Sequence, residues 1–240
     1  MKTKEDLKTR IRNLYLFLRY GQTLNPEHYK LIKRCVKKGN TAIDIGAYRG
    51  DYIALFHSLE MKVHAFEPTF NFKTIRNRFL LCKGLIIYKM AVSAKYRSLT
   101  FNIYEDDSAA SYVDVPSAGK LIAKESVFCI RLDEYHLKPS FIKIDVNGME
   151  LDVLISAKQT IQKHKPFILI AYNPQLLSLT GATKEQILKF MFEFDYAFKE
   201  IYSDGILTDL FFLPRKKLSM FGRPEEEEVE AYYKNQLKER

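Results

Sequence analysis

The apolar residues of this chain change period several times, and each change marks an element. Leu7, Ile11, Leu14 and Leu18 recur at spacings of four, three and four, which predicts a helical stripe over 4–20. Asn25-Pro26 reads as an N-cap with proline at the first helical position, opening a second short helix that ends near Val36, before Gly39-Asn40. From residue 40 the pattern alternates. Short apolar runs at 41–45, 62–66, 85–88, 141–145 and 166–172 predict strands, with further short strands at 98–104, 127–132, 198–202 and 208–213. Between them, 50–59, 70–82 and 149–163 predict helices, and Thr183-Lys184-Glu185-Gln186 is a capping box that opens another. The run 166–172 (PFILIAY) is apolar at every position but the tyrosine, as in a strand buried on both faces of a parallel sheet.

Strands alternating with helices at this spacing predict a doubly wound α/β fold over 40–214, with 1–39 as a helical extension and 215–240 as a charged terminal helix or tail. Ligands of such sheets bind beyond the carboxyl ends of the strands, where the strand order reverses. The polar residues that end strands are Asp44, Glu67, Asp145 and Asn173.

Composition adds limits. The 240 residues are 47% hydrophobic and 28% charged, enough for a sizeable core and not the profile of a disordered chain. No run of about 18 apolar residues is present, which argues against a membrane-spanning helix, and the N-terminus has no secretory pattern. Three scattered cysteines without CxxC point to a reducing compartment, so the expected location is the cytoplasm or a membrane surface facing it. Residues 1–40 hold eleven Lys and Arg against Glu5, Asp6 and Glu27, a balance of +8 out of a net charge of +9. This segment reads either as a contact to an anionic partner (nucleic acid, lipid headgroups or a phosphorylated substrate) or as a solvated helical face.

The sharpest motif is Asp44-Ile45-Gly46-Ala47-Tyr48-Arg49-Gly50, between a strand and a helix. Gly46 permits a tight turn and Gly50 close helix packing. Glu67 follows 23 residues after Asp44 at the end of the second strand, placed to accept two hydrogen bonds from ribose hydroxyls. The loop lacks the second glycine of GxGxxG, which admits a pyrophosphate, and Asp44 suits an ammonium better than a phosphate. The motif therefore favours S-adenosylmethionine over NAD. A second constellation runs from Phe141 to Leu151, in which Asp145 could be a general base, a ligand of a cationic group or one metal ligand. Asn147 and Glu150 are further oxygen donors, but without a second acidic cluster no metal is assigned, and Glu150 reads as a first-turn acid on the helix dipole.

The run IDIGAYRGDY, the following HAFEP, Ala91-Val92-Ser93 and RLDEY…PSFIKIDVNGMELDVLISA resemble the FkbM family of S-adenosylmethionine-dependent methyltransferases over about residues 41–170. The resemblance implies a class I methyltransferase (Rossmann-like) fold, a seven-stranded and mostly parallel sheet with an antiparallel last strand. It implies S-adenosylmethionine as donor, S-adenosylhomocysteine as product, and methylation of a hydroxyl on a sugar, glycolipid or other small-molecule acceptor. Asn147 stands where the family usually has Glu, Tyr48 where Asn is usual, and Met90 where a polar residue is common.

The expected cofactor-binding set is Asp44, Gly46, Ala47, Tyr48, Gly50, Glu67, Pro68, Ala91, Ser108 and Asp145. Asp145 is the first candidate base and His136 the second, although His136 precedes the strand that Asp145 ends. The polar segment 105–112 is expected to cover the cofactor or the acceptor. Two rivals remain: an RNA methyltransferase with 1–39 as its arm, for which Asn173-Pro174-Gln175 is only a partial echo of a base-flipping motif, and a non-catalytic cofactor-binding module, suggested by Asn147.

Overall fold

The computed structural model describes Tyr15, Leu24, residues 26–203 and residues 207–221. The stripe over 4–20 and the tail beyond Phe221 lie outside the described residues, apart from Tyr15. The elements in chain order are α1 (Pro26–Cys35), β1 (Thr41–Ile45), α2 (Asp51–Ser58), β2 (Lys62–Phe66), α3 (Asn71–Arg78), β3 (Leu85–Tyr88), β4 (Ala91–Val92), β5 (Arg97–Tyr104), β6 (Leu121–Ile130), β7 (Phe141–Ile144), α4 (Glu150–Ser156), α5 (Lys158–His164), β8 (Phe167–Tyr172), α6 (Pro174–Leu179), α7 (Lys184–Glu193), β9 (Tyr196–Ser203) and β10 (Thr208–Pro214).

Seven strands form one sheet in the order β3-β2-β1-β7-β8-β10-β9. The strands β3, β2, β1, β7 and β8 run parallel, and β10 is antiparallel to both β8 and β9. This is the expected mostly parallel sheet with an antiparallel last strand. The order reverses between β1 and β7, so a crevice opens at their carboxyl ends.

Side chains alternate across the central strands, and both faces are covered. One face, with Ile43, Ile45, Ile142, Ile144, Ile168 and Ile170, packs on Val153 and Leu154 of α4 and Ile187 and Met191 of α7. The other, with Ala42, Phe141, Phe167, Leu169 and Phe211, packs on Ile53 and Phe56 of α2, Ile75 of α3 and Ile32 of α1. Helix α1 buries His28, Ile32 and Cys35 at i, i+4 and i+7. That part of the N-terminal extension therefore packs as a wall of the domain. The same alternation forces two charges into the second face: Asp44 of β1 and Lys143 of β7 are partners in register, each 1% exposed.

Three expectations need correction. The helix read over 149–163 is two helices that meet at Ala157, because the buried Asp133 carboxylate accepts from the N–H groups of Gln159 (2.9 Å) and Thr160 (2.8 Å) and caps α5 from outside. The irregular stretch 93–132 holds a second sheet, β4-β6-β5, in which β6 starts at Leu121, six residues before the expected strand. Asn173-Pro174 is a helix start: the Asn173 carboxamide oxygen accepts from the N–H groups of Gln175 and Leu176, and Pro174 opens α6. Among the described residues no helix is long and apolar enough to cross a membrane.

Candidate functional site

The loop after β1 turns through Gly46 at φ 82°. A Cβ there would lie 1.8 Å from the Asp145 carbonyl oxygen, so the ends of β1 and β7 approach as only glycine permits. The N–H groups of Gly46 and Ala47 donate to Phe66 O at 2.9 and 3.2 Å, and that of Tyr48 donates to Glu67 Oε2 at 2.8 Å. These amides are held by the end of β2, so the loop offers no nest of free N–H groups to a pyrophosphate. Gly50, at φ 91°, starts α2 against the ring of Phe79.

Beside this loop lies an open cleft. Gly46, Tyr48, Glu67, Pro68, Ala91, Ser108 and Asp145 of the expected set line it. Ala47 faces a second cavity, Gly50 lines neither, and Asp44 is buried beneath the loop. Burial raises the Asp44 carboxyl to about 7, partly offset by Lys143. Asp44, read from the sequence as suiting an ammonium group, is therefore a buried acid behind the wall of the cleft. Glu67 is 4% exposed, and burial raises its carboxyl against hydrogen bonds from Thr69 and Tyr48. Thr69 N–H and O–H donate to its Oε1 at 3.0 and 2.6 Å. With Tyr48 N–H on Oε2, three of roughly four acceptor positions are filled, which leaves one for a ligand hydroxyl where sequence allowed two.

The rest of the cleft fits an adenosine-bearing cation. Ile45, Phe66, Val92, Phe101 and Met149 make an apolar wall, with acids at Glu67, Asp107 and Asp145. Met90 adds to that wall and receives the Tyr135 O–H at 3.3 Å. Asp107, Ser108 and Ala110 of the segment 105–112 line one side of the cleft, and the segment is tied down twice. Asp107 accepts from Tyr48 O–H (2.7 Å) and Arg49 (3.1 Å). Burial pulls its carboxyl upward, but these bonds outweigh it and hold it below the usual range. On the other side the Asn147 carboxamide donates to Ser108 O (2.9 Å) and Ala110 O (3.1 Å), and Ser111 O–H donates to Asn147 O.

Asn147 sits at φ 50°, a left-handed conformation that Asn and Asp tolerate better than Glu. An ionised acid has no donor for two carbonyls. Asn147→Asp keeps the backbone preference and removes the donor. It is expected to free 105–111, raising amide exchange there by about two- to tenfold, since a hydrogen bond between partly exposed groups contributes about 0.5–1.5 kcal/mol net. Unchanged exchange by mass spectrometry refutes that role.

Asp145 directly follows β7, with its backbone N–H on Ile45 O at 2.9 Å. Its side chain is half exposed, lies 3.3 Å from Lys143 Nζ, and borders both the cleft and the second cavity. His136 is not brought to either. It ends the 3-10 turn Leu132–Tyr135 at φ 48° and lines a separate depression with Asp133 and His164, at the amino end of β7. The strand runs straight and separates the two candidates, so His136 is withdrawn as a base. Glu150 is fully buried; its Oε1 accepts from Gly148 N–H at 3.0 Å, and burial lifts its carboxyl to about 7. It secures the turn into α4.

Sequence reading missed Thr69, Asn71 and Asp107 in the cleft, and a second polar group built from His28, Tyr52, Lys143 and Asp209. For Thr69 and Asn71 a signal existed: small polar residues directly after a strand-ending acid and a proline. Asp209 sits within a run of apolar residues and is found only once β10 is paired with β8.

Comparison with known proteins adds the following. The profile of the methyltransferase FkbM domain matches residues 44–198. No curated protein sequence matches the chain. Among solved structures, the fold is similar to that of methyltransferase FkbM from Methylobacillus flagellatus, with a TM-score of 0.51, 18% identity, and coverage of 85% of this chain and 54% of that one. The chain thus spans about half the length of that relative. A Streptococcus mutans protein in complex with S-adenosylhomocysteine has a TM-score of 0.50 and 10% identity, with coverage of 80% of this chain and 99% of that one.

Proposed function

The chain belongs to the FkbM methyltransferase family, and from that premise we propose that it methylates a hydroxyl group of a sugar or glycoconjugate with S-adenosylmethionine as donor. Bound there, the donor supplies an electrophilic methyl group on a cationic sulfur. Glu67 would take a ribose hydroxyl. The apolar wall of Val92, Phe101 and Met149 would take the base, and Asp145 would face the cationic end. The observation that carries the donor assignment is the state of the glycine loop, whose amides are already bound to Phe66 O and Glu67. Such a loop suits a donor that brings a positive charge and no phosphate.

A hydroxyl nucleophile needs a proton acceptor within hydrogen-bond reach. Asp145, at the border of the two cavities, is the acid placed to take that proton while Lys143 holds its other side. The stapled segment would stand as one wall of the donor cleft. Asn147 has a task in that staple, so its replacement of the usual Glu does not favour the non-catalytic reading. We further propose a cytoplasmic or membrane-surface location and an anionic contact through the basic segment 1–39.

Glu67→Ala tests the donor assignment. A hydrogen bond to a charged group contributes about 1.5–3 kcal/mol, so affinity for S-adenosylmethionine should fall about tenfold or more in a protein that stays folded. Calorimetry that finds wild-type affinity removes Glu67 from the site.

A further inference from the structure

On the far side of the glycine loop lies an open cavity that meets the donor cleft at Gly46, Tyr48 and Asp145. Its wall is assembled from distant parts of the chain: His28 from α1, Arg49 and Tyr52 around the start of α2, Lys143 and Asp145 at the end of β7, and Asp209 of β10. These groups are connected. Tyr52 Oη lies 2.7 Å from His28 Nδ1, and the Lys143 ammonium sits 5.1 Å above the Tyr52 ring. His28 Nε2 is 3.2 Å from Asp209 Oδ2, within ion-pair range but not aligned for a hydrogen bond, so this nitrogen is buried without a hydrogen-bond partner.

Apolar packing does not explain this arrangement. His28 is 5% exposed, Asp209 7% and Lys143 1%, and each would be costly to bury unless its polar atoms had work there. His28 stands where the stripe of α1 could have carried an aliphatic residue like Ile32. Chemistry narrows the occupant. Arg49 and Lys143 are set against Asp51, Asp145 and Asp209, so the wall has no surplus of positive charge for a phosphate backbone. Donors and acceptors of both signs on one concave surface match a neutral ring with several hydroxyl groups.

We propose that this cavity is the acceptor pocket, that it takes a sugar ring, and that His28, Tyr52 and Asp209 are its specificity-determining residues. The inference rests on the reading of the neighbouring cleft as the donor site. It makes α1 a component of the acceptor pocket and gives the docked part of the N-terminal extension a function separate from its charge.

The test uses the full chain with S-adenosylhomocysteine present, and saturation-transfer NMR with methyl glycosides of glucose, mannose and galactose, and with a short oligouridylate. At least one glycoside should bind. Tyr52→Phe and Asp209→Asn should each weaken it roughly three- to tenfold, the range for loss of one hydrogen bond, while S-adenosylhomocysteine affinity stays within about twofold. Two variants are used so that failure of one to fold leaves the other. Absence of any glycoside signal, or equal binding by both folded variants, overturns the inference and leaves the donor reading intact. Binding of the oligouridylate in place of the glycosides overturns it in favour of RNA. Weakened S-adenosylhomocysteine binding in the variants means that the cavity holds part of the donor, which also overturns it. Failure of the unaltered chain to bind S-adenosylhomocysteine brings down the donor reading and the inference together.

Discussion

Replacing Asp145 with Asn is expected to reduce turnover by about 10²–10⁴-fold while the donor still binds, with an affinity lowered only by the lost charge. The amide has nearly the shape of the carboxylate, and it can still accept a hydrogen bond from Lys143, now at 3.3 Å. What it cannot do is take a proton. The backbone is fixed independently of the side chain, through Asp145 N–H on Ile45 O, and the side chain is half exposed. The carboxylate does pair with the buried Lys143 ammonium, so some loss of stability is expected and the melting temperature is read beside turnover. Turnover is measured on an acceptor that the unaltered protein methylates, and donor affinity by calorimetry. A drop in melting temperature or donor affinity without a selective loss of turnover indicates a structural role. The acceptor would then be activated by proximity alone, or by the Tyr52–His28 pair across the second cavity.

The cleft beside the glycine loop was legible in the sequence because it is local. Gly46, Glu67 and Asp145 each end or directly follow a strand, and the doubly wound rule places strand ends together without further information. The sheet was legible for the same reason: β1, β2, β3 and β7 are short apolar runs with clear stops. The break between α4 and α5 was not, because its cause is the Asp133 carboxylate, some 25 residues upstream. The network of His28, Tyr52, Lys143 and Asp209 was not, because no two of these residues are neighbours in the chain and their proximity follows from strand order and helix packing. His136 shows the limit of that locality, and the sequence already placed it before the strand that Asp145 ends. It is close to Asp145 in sequence, yet a strand of four residues places it at the other end of the sheet.

Two glycines of one loop should differ sharply in what they tolerate. Gly46→Ala places a Cβ 1.8 Å from the Asp145 carbonyl oxygen and 2.8 Å from its carbon, atoms of a backbone already bonded to β1. Nothing flexible can move aside, so the ends of β1 and β7 must separate. The left-handed conformation alone costs an L residue about 1–2 kcal/mol, and overpacking adds about 1–3. The expected loss is roughly 3 kcal/mol or more, a fall of about 6–12 °C in melting temperature for a chain of this size. Displacement of Asp145 should also weaken S-adenosylhomocysteine binding. Gly50→Ala carries the same conformational strain at φ 91°, but its Cβ meets the edge of the Phe79 ring at 2.5 Å, and a ring can turn or shift where a carbonyl cannot. Its loss should be about 1–2 kcal/mol, with donor affinity retained, since Gly50 lines neither cavity. Thermal melts and calorimetry on the two variants decide the matter. Equal destabilisation would mean that the approach of the loop to β7 can relax, and that the tight turn at Gly46 is not what holds Asp145 at the border of the two cavities.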